Sequence, residues 1–203
     1  MYLTRLRLDT RSAQVRRDLA DPYEMHRTLV RVFVEDAQQA PPRILWRLEP
    51  AAAWSDPVVL VQAQQATDWS ELVAMPNYLK GAVETRELSP ERWLQAGKRL
   101  RFRLFANPTV TRGGKRLGLA SEEAQLAWLS RQGERFGFVV NTALVIGSDL
   151  VHSRKGDTRI SLLTACFEGW LQVLEPERIE EALRAGIGPG KAFGCGLLSL
   201  GVG

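Results

Sequence analysis

The same order of predicted elements occurs twice along this chain, and that repetition limits the possible folds more than any other feature. In each half, a strand of alternating polar and apolar residues is followed by helix, two strands, a second helix and a last strand. Strands that alternate with helices in this order are typical of a split βαβ unit, in which the helices pack on one face of an antiparallel sheet. The sequence therefore predicts an α+β fold of tandem ferredoxin-like (RRM-like) βαββαβ domains.

The boundaries of the predicted elements follow from periodicity, turn residues and helix caps. In the first half we predict strands at 2–8, 44–48, 57–64 and 78–88, and helices at 12–20, 22–37 and 69–75. In the second half we predict strands at 99–106, 143–154, 158–167, 169–174 and 195–200, helices at 121–131 and 176–185, and a loop at 107–118. The N-terminal domain then covers 1–90, a linker covers 91–98, and the C-terminal domain covers 99–203.

Composition and charge favour a globular protein with a polyanionic partner. Of the 203 residues, 45% are hydrophobic and 25% are charged, and the formal net charge is +4. An excess of arginine suits phosphate, although many proteins of this charge bind no nucleic acid. The first eight residues are interrupted by arginine and no long apolar run follows, so we expect a soluble, cytoplasmic protein with no membrane partner.

The cysteine pattern offers no site for a metal or a redox centre. Cys166 and Cys195 are the only cysteines, and they form no CxxC pair. We expect both to be reduced and structural, and we expect no metal and no cofactor.

The helix that begins at Pro22 carries the strongest candidates for chemistry. Asp21-Pro22-Tyr23-Glu24 supplies an N-cap, a proline at the first helical position and a glutamate three residues after the cap. A stripe made of Met25, Leu29, Val32 and Phe33 is expected to be buried, which leaves Tyr23, His26 and Arg27 together on another face.

This trio has the groups that RNA cleavage without a metal requires. A histidine moves protons near neutral pH, a tyrosine donates a hydrogen bond, and an arginine holds a phosphate oxygen. The same spacing also fits the alternative that Tyr23 and His26 only pack and hydrogen-bond at a domain seam, because Val30 and Val34 share their face.

Three further segments are rich in glycine or cations. The segment 186–196 holds five glycines and Lys191, which suits either the binding of an anion by backbone amides or a tight structural turn. The hairpin turn at 153–159 carries Arg154, Lys155 and Arg159, which could grip phosphates in an RNA groove or could simply be solvated. The strand at 98–103 alternates cations with apolar residues. This pattern fits either a basic row that follows a nucleic-acid backbone or an ordinary solvent-exposed face of a sheet.

Taken together, these motifs resemble one known family over the whole chain. Asp21-Pro22-Tyr23-Glu24-Met25-His26-Arg27-Thr28-Leu29 resembles the catalytic helix start of the CasE endoribonucleases. Residues 101–109, with 114–116 and 125–129 after them, resemble the central block of that family, and residues 186–198 resemble its C-terminal glycine-rich loop. The family often has an arginine where this chain has Phe105, so one phosphate contact is expected to be absent or moved.

The resemblance implies a function and a set of roles. It implies a metal-independent endoribonuclease that binds the stem-loop of CRISPR repeat RNA and cleaves pre-crRNA to mature crRNA. The 2′-hydroxyl would attack, leaving a 2′,3′-cyclic phosphate and a 5′-hydroxyl, and the other subunits of the type I-E Cascade complex would be partners. Tyr23 and His26 would be catalytic, and the RNA-binding residues would be Arg27, Arg31, Arg154, Lys155, Arg159, Gly188, Gly190 and Lys191.

Two binding functions remain as alternatives to the enzyme. A non-catalytic RNA-binding structural subunit of a CRISPR ribonucleoprotein would explain the basic hairpin and the glycine loop, but it would not need Tyr23 and His26 on one accessible face. A general single-strand RNA binder would need aromatic residues exposed on a sheet face. Trp46, Trp54 and Trp170 form no such pattern in the sequence.

Overall fold

The computed structural model of the protein describes residues 1–34, 40–50, 52 and 54–202. The chain forms two compact units. The first unit consists of Met1–Leu88 together with Ser153–Arg159 and Ala192–Gly194. The second consists of Ser89–His152, Ile160–Lys191 and Cys195–Gly203. Two short segments from late in the sequence therefore belong to the N-terminal unit.

The first unit is a four-stranded antiparallel sheet with helices. Its elements are β1 Tyr2–Arg7, α1 Ala13–Ala20, α2 Pro22–Arg31, β2 Leu45–Leu48, β3 Val58–Ala63, α3 Ser70–Ala74 and β4 Glu84–Glu87. The strand order is β2-β3-β1-β4, so the first strand lies between the third and the fourth. This order is that of a ferredoxin-like unit.

The core of the first unit lies between the sheet and the helices. Leu6 and Leu8 from the region of β1 pack with Met25 and Leu29 of α2, and all four are at most 1% exposed. Burying one such side chain contributes about 1.5–3 kcal/mol. The buried Tyr78 hydroxyl donates to the carboxylate of Asp18 at 2.8 Å, which satisfies two polar groups inside this core.

The second unit repeats the arrangement with an added hairpin. Its elements are β5 Arg99–Ala106, β6 Thr109–Arg112, β7 Lys115–Gly118, α4 Glu122–Phe136, β8 Phe138–Lys155, β9 Thr158–Val173, α5 Pro176–Ala185 and β10 Leu198–Gly201. The sheet order is β10-β5-β9-β8, while β6 and β7 pair only with each other. The turn-side ends of β8 and β9 lie in the first unit. The predicted tandem ferredoxin-like fold is confirmed.

The predicted loop at 107–118 is wrong. Thr109–Arg112 and Lys115–Gly118 form an antiparallel hairpin, and Gly113 and Gly114 both have positive φ, at 54° and 73°. Two consecutive glycines of this conformation match the tight turn that the twist of a hairpin favours. The β-branched residues Thr109, Val110 and Thr111 agree with a strand, but the Gly-Lys-Arg content obscured that signal.

The predicted break between 167 and 169 is also wrong, because β9 runs without interruption to Val173. A Cβ added at Gly169 would lie 2.0 Å from the carbonyl oxygen of Thr142. Glycine therefore permits a close approach of two backbones here and does not end the strand.

Several other element boundaries differ from the predictions. The second helix ends at Arg31, and residues 35–37 of its predicted range lie outside the described part of the chain. The predicted strand at 78–88 shortens to β4, and the last strand begins at Leu198. The helix α4 continues to Phe136, where Gly137 ends it in the left-handed conformation.

A short 3-10 helix at Pro90–Arg92 overlaps the start of the predicted linker, and Leu94 beside it is buried. The proposed domain limits at 90 and 99 stay predictions. None of the described helices is both long and apolar enough to cross a membrane.

Candidate active site

The start of α2 is fixed by its N-cap. The Asp21 backbone is extended, and its Oδ1 accepts the backbone N–H of Tyr23 at 2.9 Å. Pro22 occupies the first helical position, as the sequence predicts. Because the cap bond ends on the Tyr23 amide, it fixes the backbone from which the Tyr23 side chain projects.

The rings of Tyr23 and His26 lie next to each other on α2. Their centroids are 6.5 Å apart with an interplanar angle of 39°, and both residues are partly buried. The ring of Phe193 also lies next to Tyr23, at 6.1 Å between centroids. Phe193 was not among the predicted site residues, and an aromatic residue inside a glycine-rich segment was the signal that could have found it.

His26 has the properties of a proton-transfer group. Its Nδ1 is buried and has no hydrogen-bond partner among the residues that the structure describes. Burial disfavours the charged imidazolium and so lowers the pKa of His26 below the ordinary value of 6.5. The side chain is therefore neutral near pH 7, the form in which imidazole accepts a proton.

The cations of α2 differ in their pairing. The guanidinium of Arg27 donates to Glu24 at 2.9 Å, and Arg17 contacts the same carboxylate at 3.2 Å. Arg31 is exposed and forms no ion pair within the described ranges. Exposed ion pairs of this kind are worth only about 0–1 kcal/mol, so Arg27 can exchange Glu24 for a phosphate at small cost.

The tip of the β8–β9 hairpin belongs to the same compact unit as α2. The side chains of Arg154 and Arg159 are exposed, and Gly156 makes the turn with φ of 58°. Ser153 is only 5% exposed, and its hydroxyl donates to Asp21 Oδ1. The Arg154 backbone N–H donates to Asp21 Oδ2 at 3.2 Å. The structure thus brings the predicted tip cations into one unit with Tyr23, His26, Arg27 and Arg31.

The predicted RNA-binding residues of the glycine-rich segment, Gly188, Gly190 and Lys191, lie in the second unit. Gly188 and Gly190 have positive φ, and a Cβ at Gly188 would lie 2.9 Å from the Trp128 ring. The Lys191 ammonium donates to the Gly188 carbonyl within its own loop. These contacts give Gly188 and Lys191 a structural role, and the role of all three residues in RNA binding stays a prediction.

The remaining candidates from the sequence have ordinary surroundings. His152 is exposed, with Nδ1 3.0 Å from the Ser161 hydroxyl. In the basic row of β5, Arg103 pairs with Glu168, and Arg101 lies over the Trp170 ring at 5.8 Å. Both cysteines are buried thiols outside any disulfide bond, and burial raises the pKa of Cys195 to about 12. The described residues contain no cluster of three or more His, Cys, Asp or Glu side chains that could hold a metal.

Comparison with known proteins agrees with this fold. The tandem ferredoxin-like units define the class of protein, and the first unit carries Tyr23 and His26 on one helix. The family model described as "CRISPR associated protein" matches residues 1–201. The chain belongs to the CasE family of CRISPR-associated proteins.

Individual relatives resemble the chain over nearly its full length. The CRISPR-associated endoribonuclease Cse3 of Thermus thermophilus is 40% identical over 214 residues, covering 98% of this chain and 99% of that protein. The Cascade subunit CasE of Escherichia coli is 31% identical, covering 89% of this chain and 92% of that protein. A solved structure of endoribonuclease Cse3 bound to a 19-nucleotide RNA superposes with a TM-score of 0.89 at 40% identity and full coverage of both chains.

Proposed function

We propose that this protein is a metal-independent endoribonuclease that binds the stem-loop of CRISPR repeat RNA and cleaves pre-crRNA to mature crRNA. One observation carries the proposal: the capped helix α2 places His26, whose buried Nδ1 has no hydrogen-bond partner among the described residues, beside Tyr23 in the compact unit that also holds the tip cations. The names of the relatives support it, since Cse3 is an endoribonuclease and one of its structures contains RNA.

The chemistry that fits this pair is attack by the RNA itself. The 2′-hydroxyl next to the scissile phosphate gives its proton to His26 and forms the new bond to phosphorus. The bond from phosphorus to the 5′-oxygen breaks, and the Tyr23 hydroxyl gives that oxygen a proton. The products are a 2′,3′-cyclic phosphate and a 5′-hydroxyl. Holding the hydroxyl in line contributes several kcal/mol, and a positioned proton acceptor adds about a hundredfold or more.

Cations on two elements supply the binding energy in this proposal. Arg27 and Arg31 of α2 hold phosphates near the cleavage position, and Arg154, Lys155 and Arg159 at the hairpin tip grip the RNA stem. The wide, shallow minor groove and the phosphates of an A-form stem suit recognition by shape and charge. Gly188, Gly190 and Lys191 add backbone and ammonium donors. By analogy with CasE of E. coli, a subunit of Cascade, the other subunits of a type I-E Cascade are the protein partners.

The test is cleavage of a labelled repeat hairpin in EDTA, with RNA binding measured in parallel. We expect the wild type to cut, and His26→Ala to bind normally while its rate falls about a hundredfold or more. His152→Ala is the matched control, because it removes the only other histidine, which lies exposed on β8. Loss of wild-type cleavage in EDTA would contradict the metal-free mechanism. Binding without cleavage in the presence of Mg²⁺ as well would support a structural RNA-binding subunit instead.

A further inference from the structure

The carboxylate of Asp21 joins two segments that lie far apart in the sequence. Its Oδ1 caps α2 through the Tyr23 amide and also accepts the Ser153 hydroxyl, which is 132 positions away. Its Oδ2 accepts the backbone N–H of Arg154. A single side chain therefore holds both the start of the Tyr23–His26 helix and the base of the basic hairpin tip.

The Asp21 carboxylate accepts more hydrogen bonds than an N-cap requires. A serine or asparagine caps a helix about as well as an aspartate. Ser12 and Ser121 cap α1 and α4 with a single hydroxyl acceptor each. Asp21 has a second carboxylate oxygen, and among the described residues its hydrogen-bond donor is the Arg154 amide of the tip. The nearly complete burial of Ser153 holds that side of the link in place.

We propose that Asp21 is a positioning residue that couples the grip of the hairpin tip on RNA to the placement of Tyr23 and His26. The inference rests on the proposed function. When Arg154 and its neighbours bind phosphates, the tip amide and the Ser153 hydroxyl are fixed, and through Asp21 they fix the first turn of α2. Small displacements of a catalytic group can cost up to about a hundredfold in rate, so this link acts on the cleavage step more than on affinity.

Asp21→Ser tests the link while it keeps the helix cap. The shorter side chain caps the Tyr23 amide but has no second oxygen for the Arg154 amide. We expect the single-turnover rate at saturating RNA to fall about tenfold or more, and the Kd to change less than about threefold. Asp21→Asn, which retains a single acceptor oxygen at full length, should give an intermediate rate.

Two further variants separate positioning from stability. Ser153→Ala should lower the rate in the same direction, and the Asp21→Ser/Ser153→Ala double variant should cut no more than about twofold more slowly than Asp21→Ser, because both changes break one link. Ser121→Ala removes the N-cap of α4 in the second unit. It should leave the rate unchanged while it lowers Tm about as much as Asp21→Ser does. Rates of Asp21→Ser and Ser153→Ala within twofold of wild type would overturn the proposal.

A readout that does not depend on cleavage keeps this inference separate from the proposed function. With a repeat hairpin that carries a 2′-deoxy nucleotide at the cleavage position, hydrogen exchange of the Tyr23 and Glu24 amides is measured with and without RNA. We expect RNA to slow this exchange in the wild type and not in Asp21→Ser. Equal protection of these amides in both proteins would refute the coupling, whatever the cleavage rates are. If the wild type does not cleave the RNA but shows the expected exchange pattern, only the proposed enzymatic activity is refuted.

Discussion

At the scale of single residues, the proposed cleavage depends on the protonation state of His26. Because burial lowers its pKa below 6.5, the unfolded chain binds a proton more readily than the folded chain below that pH. The folded state consequently loses stability as the pH falls through this range. The same shift keeps the imidazole neutral, and therefore able to accept the 2′-hydroxyl proton, at lower pH than an ordinary histidine.

The pH dependence of cleavage follows from this shift. We predict that kcat/KM rises with pH through the lowered pKa of His26 and becomes level at a lower pH than an ordinary histidine would give, since kcat/KM reports groups of the free enzyme. The rising limb should vanish in His26→Ala. A kcat/KM that falls as the pH rises from about 6 to 7 would instead assign His26 the role of the acid.

Glu24 lowers the positive potential of α2. It pairs with both Arg27 and Arg17, so two cations near Tyr23 are partly neutralised. We predict that Glu24→Gln binds the repeat hairpin about two- to fivefold more tightly and with a steeper dependence on salt, because an exposed pair is worth up to about 1 kcal/mol. Binding titrations at several salt concentrations measure this effect. Weaker binding would mean that Glu24 orients Arg27 on the phosphate.

At the scale of elements, the glycine-rich segment and the β8–β9 turn depend on different properties of glycine. Gly188 has positive φ, and a Cβ added there would lie 2.9 Å from the Trp128 ring, whereas Gly156 has positive φ and open space around it. We predict that Gly156→Ala costs about 1–2 kcal/mol from its backbone conformation, and that Gly188→Ala costs about 1–3 kcal/mol more from the clash. Denaturant unfolding of both variants measures the difference, and equal costs would contradict the packing described for Gly188.

The accuracy of the predicted elements depended on how local their determinants are. The start of α2 was predicted correctly because Asp21 and Pro22 act within one turn of the helix. The continuity of β9 could not be predicted, since it depends on the Thr142 backbone lying against Gly169. Likewise, the sequence indicated Tyr23 and His26 as a pair, but only the fold shows Phe193 beside Tyr23 and Ser153 on Asp21.

At the scale of the whole molecule, the chain contains two units of the same fold that carry different candidate functional residues. Only the first unit holds the Tyr–His pair, and the chain returns to that unit at Ser153–Arg159 and Ala192–Gly194. Duplication thus supplies a scaffold, while late segments complete the surroundings of the site in the first copy. In the proposed cleavage reaction, the nucleophile is the 2′-hydroxyl of the RNA and not a side chain of the protein.

The most direct test of that claim is a single 2′-deoxy substitution in the repeat hairpin at the nucleotide before the scissile phosphate. Cleavage by the wild type in EDTA and binding are compared with those of the all-ribose hairpin. We predict that cleavage stops while the Kd changes less than about tenfold, because one hydrogen bond is worth about 0.5–1.5 kcal/mol. Continued cleavage of the deoxy hairpin would contradict attack by the 2′-hydroxyl and would require water or another nucleophile.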